Sequence, residues 1–145
     1  MSESLSVPAD MEQLPRVFQW TDDVADRAAL PDWTRYALLL CIEEAVSNVV
    51  RYGYPPEHRD IAHDQVRLTL AWDGDAATLT IEDQGVPFDP RDLAEPAQPK
   101  TVEDAQIGGL GIHLMRRYAE TMDYQRDNDL NRLTLRIRRN NVEER

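Results

Sequence analysis

The sequence predicts an α+β two-layer sandwich, a mixed or antiparallel sheet with its helices gathered on one face. Three observations carry that reading. A long apolar run from about Trp33 to Tyr52 has helical spacing. Two segments alternate with period two: Val66, Leu68, Leu70 and Trp72 against Arg67, Thr69 and Ala71, and Leu133, Leu135 and Ile137 against Thr134, Arg136 and Arg138. Each lies beside a turn signal, Asp73-Gly74 in one case and Asp127-Asn128-Asp129 in the other, so each belongs to a hairpin.

Taken in order, residues 1–14 are polar and read as a flexible lead-in to a single domain over 15–140, with a short tail over 141–145. Arg16 to Trp20 alternates briefly and reads as a short strand. Thr21-Asp22 offers a cap for a helix from Asp23 to Leu30, and Pro31-Asp32 breaks and recaps the chain before the long helix. Gly53 and the Pro55-Pro56 pair stop that helix. In the return strand of the first hairpin Leu79 and Ile81 share a face with Asp83, so the alternation aims a carboxylate at the core side. Residues 88–107, rich in Pro, Asp and Glu, have no period, and a connection this long in a small domain reads as a lid or binding loop. Gly108-Gly109-Leu110-Gly111 then opens a helix in which Ile112, Met115, Tyr118, Ala119 and Met122 keep helical spacing.

Composition narrows the function. The chain has 145 residues, enough for one well-filled core, and a net charge of −11, which argues against a nucleic-acid binder. One cysteine excludes a disulfide framework and a thiolate metal cluster. No apolar run is long enough for a membrane span and the N-terminus has no signal-peptide pattern, so a cytoplasmic protein is expected. His58 and His63 are too loosely spaced for a metal site, His113 reads as a helix surface residue, and the tryptophans and the Met115/Met122 pair read as packing residues.

The long helix carries the chemistry. Ala37, Leu38, Leu39, Cys41, Ile42, Ala45, Val46, Val49 and Val50 form one wide apolar arc, and Tyr36, Glu43, Ser47 and Arg51 form a narrow wet stripe. Glu44 and Asn48 belong to neither and stand one turn apart at the border. A carboxylate there loses solvation and needs a partner or a proton. Asp83-Gln84-Gly85-Val86-Pro87-Phe88 places an inward acceptor two residues before a glycine, suited to a ligand's amine such as that of adenine. Glycines 108, 109 and 111 at a helix start free the backbone to wrap a phosphate. A dinucleotide fold is excluded because no strand precedes these glycines in a βαβ unit and Leu114 takes the third glycine position, and a Walker-type loop is excluded for want of a Gly-Lys-Ser/Thr.

In this order, Glu44-x-x-x-Asn48, Asp83-x-Gly85-x-Pro87-Phe88, a lid and Gly109-Leu110-Gly111 resemble the GHKL ATP-binding superfamily over nearly the whole chain. Glu43-Glu44-Ala45-Val46-Ser47-Asn48 followed by Gly53-Tyr54-Pro55 resembles most the bacterial anti-sigma-factor serine kinases. The resemblance implies the Bergerat ATP-binding fold, ATP and magnesium as cofactors, a homodimer, and phosphorylation of a serine on a STAS-domain antagonist, with a sigma factor as the other partner. It implies Glu44 as general base and Asn48 as magnesium ligand. It implies that Asp83, with Gly85, binds adenine and that Gly109, Leu110 and Gly111 wrap the phosphates. Phe88, Arg51 and Thr134 would also contact ATP. One departure is Gln106-Ile107, where related kinases often carry a basic residue; Lys100 is the nearest substitute. The alternative is therefore a nucleotide-gated sequestering module with little or no transfer. A histidine-kinase catalytic fragment fits less well, since no phosphoacceptor helix pair is legible.

Overall fold

The computed structural model describes residues 1–60, 62–92 and 111–139, with only the backbone of 111–113. The main elements are β1 (Ser2–Pro8), α1 (Leu14–Arg27), α2 (Asp32–Asn48), β2 (Gln65–Trp72), β3 (Ala76–Asp83), α3 (Gly111–Tyr118), β4 (Thr121–Asp127) and β5 (Leu130–Arg138). Five strands form one sheet in the order β1-β2-β3-β5-β4, with every pairing antiparallel. The architecture is the α+β sandwich read from the sequence, with an antiparallel sheet. Among the described residues no helix is long and apolar enough to cross a membrane.

Register explains the core. Leu5, Leu68, Ile81, Leu133 and Tyr124 lie side by side across the sheet, and Leu70, Leu79, Leu135 and Met122 make the next row. These rows share the face that buries Leu38, Cys41, Ile42 and Met115 of the helices. The alternate residues, among them Arg67, Thr69, Thr80, Thr134 and Arg136, turn to the other face. α2 is buried on nearly all sides, with α1 and α3 packed along it. Its start is tied to β5 by the Thr34 hydroxyl, which donates to the Arg138 carbonyl at 2.8 Å.

Four expectations are corrected. The lead-in over 1–14 is instead β1 followed by a 3-10 turn and the start of α1. Leu5 and Val7 supply an inward face, and Glu3 accepts from Arg27 of α1; with only two apolar residues among serines, the period is faint in the sequence. The strand assigned to Arg16–Trp20 is helical. Pro15 sits in the first turn of α1, where its missing N–H costs nothing, and Val17, Thr21, Val24 and Ala25 form its buried stripe. Five residues of alternation were too few to separate the two periods. The last helix ends at Tyr118, and Met122 reaches the core from β4 instead. Ser47, placed in the wet stripe of α2, is buried, whereas Tyr36 and Arg51 of that stripe remain exposed.

α2 does not stop at Asn48 but widens into a π-helical turn over Val49–Gly53, closed by the Tyr54 N–H on the Val49 carbonyl at 3.1 Å. Arg59 caps it, donating to the Val50 and Tyr54 carbonyls at 2.8 and 3.3 Å. Tyr54 ties the turn to the sheet: its hydroxyl donates to the Gln65 carbonyl and accepts from the Gln84 N–H, both at 2.9 Å.

The turn ends against the loop after β3. The Gly53 carbonyl accepts from the Val86 N–H at 2.8 Å, and a Cβ on Gly85 would stand 2.2 Å from that carbonyl oxygen. Gly85 is therefore required for space, with the close approach made by the chain's own backbone. Gly85→Ala is expected to destabilise the fold by about 1–3 kcal/mol or more, since two backbones must separate; urea unfolding monitored by circular dichroism checks this.

Candidate functional site

A narrow cleft, partly open to solvent, lies between α2 and the sheet. Ala45, Asn48 and Val49 form its helical wall, Ile81, Asp83, Asn131 and Leu133 its floor, and Phe88, Pro90 and Tyr124 its rim. Phe88 is held there by stacking on Tyr52, with ring centroids 4.7 Å apart and planes 19° from parallel. Arg51 is exposed and lies over the Tyr52 ring at 5.9 Å.

Asp83 ends β3 at the deep end of the cleft and is 6% exposed. Its Oδ1 accepts from the Gly85 N–H and from Asn131 Nδ2, each at 2.9 Å. Burial pushes its pKa up, opposed by those two hydrogen bonds and by the charge of Arg126, which itself donates to the Gly85 carbonyl at 2.7 Å. The result is a desolvated carboxylate whose recorded bonds all fall on one oxygen.

Glu44 and Asn48, one turn apart on α2, are 8% and 2% exposed. Glu44 Oε2 and both amide atoms of Asn48 are buried without a hydrogen-bond partner among the described residues. Such groups cost stability unless something outside the described protein satisfies them. Burial raises the Glu44 pKa, the neighbouring Glu43 adds to the rise, and Arg51 opposes it. Cys41, on the preceding turn, is pushed to about 12 by burial and by Glu44, so its thiol is no nucleophile near neutral pH.

The structure thus gathers Asn48, Asp83 and Phe88 around one cleft, with Gly85 beside Asp83 and Glu44 a turn from Asn48. Thr134 is not among them. It pairs with Thr80 and alternates out of phase with Leu133 and Leu135, so it lies on the face of the sheet away from the cleft. The strand's contribution comes from Asn131, directly opposite Asp83. Sequence reasoning missed Asn131 although the signal was present: it is in phase with Leu133, Leu135 and Ile137, the same argument that found Asp83. Tyr54, Tyr124 and Arg126 were missed too, and their roles depend on contacts distant in sequence. Gly111 begins α3. Gly109, Leu110, Lys100, Gln106, the tail and all but the first residues of the expected lid lie outside the described residues.

Three comparisons bear on this cleft. The histidine kinase-like ATPase domain matches residues 7–137. The serine/threonine-protein kinase BtrW of Bordetella bronchiseptica is 34% identical over 116 residues, covering 80% of this chain and 79% of that one. Among solved structures, that of the SiaB-SiaC complex from Pseudomonas aeruginosa aligns with a TM-score of 0.57 at 10% identity, over 94% of this chain and 89% of that one. The Acinetobacter baumannii histidine kinase AdeS aligns at 0.51 and 18% identity, over 94% and 68%. The chain belongs to the histidine kinase-like ATPase domain family, which makes ATP the ligand class that its fold implies.

The buried charge of Glu44 has a pH signature. Its folded pKa lies above the unfolded one, so the folded state holds the proton more tightly; the cost is absent below the unfolded pKa and fully present above the raised one. Glu44→Gln should raise the urea midpoint at neutral pH, and the gain should vanish in acid; midpoints measured across pH test it.

Proposed function

We propose that the protein is a magnesium- and ATP-dependent protein serine kinase and anti-sigma factor, with a STAS-domain antagonist as phosphoacceptor. The observation that carries the reading is the pair of buried, unpartnered polar side chains, Glu44 and Asn48, on the helix beside a cleft with an inward carboxylate. The 34% identity to a protein named as a serine/threonine kinase supports it.

The residues fit the roles that this chemistry needs. Asp83 accepts from an adenine amino group in the deep end of the cleft. The Asn48 amide oxygen suits magnesium, and among the described residues no cluster of three or more His, Cys, Asp and Glu stands ready to cage a metal. Asn48 would be a protein ligand for an ion otherwise held by phosphates and water, which is how magnesium is commonly bound. When bound, the ion neutralises charge on the phosphates.

Glu44 takes the proton from the acceptor serine as its oxygen bonds to the γ-phosphorus. The bond from that phosphorus to the β,γ-bridging oxygen breaks, ADP leaves with the electron pair, and Glu44 returns its proton to solvent. Burial raises its pKa, which makes the carboxylate a stronger base. In this reading Arg51, exposed on the next turn, contacts the phosphates, and Gly109, Leu110 and Gly111 wrap them. Magnesium binding, homodimerisation and capture of a sigma factor belong to the same proposal. The second reading, a nucleotide-gated sequestering module, draws on Gln106 standing where a basic residue is usual in related kinases.

Asp83→Asn should weaken ADP binding about 10- to 100-fold by loss of a charged acceptor, read by isothermal titration. Glu44→Gln should keep nucleotide affinity and lose about 10²–10⁴ in phosphotransfer rate. Tagged protein incubated with lysate in Mg-ADP and in Mg-ATP, with captured proteins and phosphoserines read by mass spectrometry, separates the readings. Serine phosphorylation of a captured STAS protein in ATP supports the kinase. Nucleotide-dependent partner exchange without phosphoserine supports the module.

A further inference from the structure

Asn131 is 4% exposed, and its carboxamide is fully used. Nδ2 donates to Asp83 Oδ1 at 2.9 Å and to the Val86 carbonyl at 2.8 Å. Oδ1 accepts from the Tyr124 hydroxyl and from the Phe88 N–H, the latter at 3.4 Å. A primary amide has two N–H donors and two lone pairs, so nothing remains for a ligand. The orientation is also fixed: two carbonyl or carboxylate acceptors face the nitrogen and the Phe88 N–H faces the oxygen, and a flipped amide would lose those three bonds and keep only one to the Tyr124 hydroxyl, which can also accept. Asn131 therefore acts on the cleft through its neighbours.

What it does to Asp83 is specific. With Oδ1 occupied by two N–H donors, a proton on that oxygen is excluded, and Oδ2 is the atom left for a ligand. Ionised, Oδ2 is an acceptor and complements the amino group of a 6-amino purine; protonated, it becomes a donor and complements the carbonyl of a 6-oxo purine. We propose that Asn131 is the positioning residue that sets base specificity: by donating to Oδ1 it holds Asp83 as a pure acceptor toward the ligand, selecting a 6-amino over a 6-oxo purine. This rests on the nucleotide-binding reading given above. The other groups facing Asp83 among the described residues are consistent with it. Arg126 of β4 favours the ionised form, the Tyr54 hydroxyl is engaged with Gln84 and Gln65, and Val66 of β2 with Val49 and Gly53 at the end of α2 do not titrate.

Asn131→Asp tests this, because it keeps the shape and replaces the donor by a second carboxylate. The two carboxylates then repel each other, and as the pH falls they take up one proton between them. Isothermal titration with ADP and with GDP, near pH 8 and near pH 6, gives the readout. In the wild type ADP is preferred, and its affinity holds or falls as pH drops, since protonating Asp83 removes the acceptor. In the variant ADP affinity near pH 8 is expected to fall about 10- to 100-fold and the preference over GDP to collapse. Its ADP affinity should then recover as pH falls, because a proton on the introduced carboxylate restores a donor to Asp83. This opposite slope is one that mere destabilisation does not produce.

A variant that keeps the full ADP preference at both pH values overturns the proposal, whereas wild-type protein that binds neither nucleotide overturns the reading beneath it. If Asn131→Asp gives no cooperative thermal melt, Asn131→Ser carries the test. A serine hydroxyl too short to bridge to both Asp83 and Val86 leaves Asp83 Oδ1 without the Asn131 donor, so a reduced ADP preference is expected, and an unchanged one overturns the proposal.

Discussion

The contact on which the rest of the site depends is made by backbone alone. Where the widened end of α2 meets the loop after β3, the Gly53 carbonyl receives the Val86 N–H and leaves no room for a side chain on Gly85. A Cβ on Gly53 would lie 3.1 Å from Asp83 Oδ1. The helix bearing Glu44 and Asn48 and the strand bearing Asp83 are therefore joined at one point without an intervening side chain. Tyr54 and Arg126 brace the joint from either side. A side chain's rotamer can hop, but two hydrogen-bonded backbones can separate only by unfolding locally, and the spacing between the groups on α2 and the Asp83 carboxylate is fixed accordingly.

Around that joint the protein accepts groups that weaken it. Glu44, Asn48 and Asp83 are buried polar side chains in a layer otherwise made of Leu, Ile, Val and Ala, and two of the three leave buried atoms unpartnered among the described residues. Polar groups left in this condition concentrate where a ligand is to be bound. The opposite treatment is given to Asn131, whose four bonds are all internal. Buried polar residues of this cleft thus fall into two kinds, those with atoms left unpartnered among the described residues and one, Asn131, whose carboxamide is fully bonded.

Much of this was legible in the sequence, and what was not has physical causes. Period-two alternation located both hairpins and placed Asp83 inward, because that rule depends only on neighbouring residues. The border position of Glu44 and Asn48 followed from helical geometry in the same way. β1 escaped because Leu5 and Val7 are its only inward apolar residues, and Arg16 to Trp20 misled because five residues fit either period. The resemblance pointed to Thr134, which alternation puts on the far face; the rule that found Asp83 applies equally to its partner Asn131. The space requirement at Gly85, the Tyr54 bridge and the π-helical turn were out of reach, since each is set by contacts between segments far apart in the chain.

The pairing of β3 with β5 has a kinetic meaning. Asp83 and Asn131 are 48 residues apart in sequence, and the floor of the cleft closes only when that span has been brought round. The first hairpin and the long helix can associate earlier, but they supply a carboxylate with no donor from β5 and a rim without Tyr124. A ligand that recognises the finished cleft has nothing to hold in such an intermediate, so its binding energy is added to the complete fold alone. Nucleotide would then act as a late check on assembly, slowing the opening of the C-terminal hairpin while leaving the early steps of folding unaided.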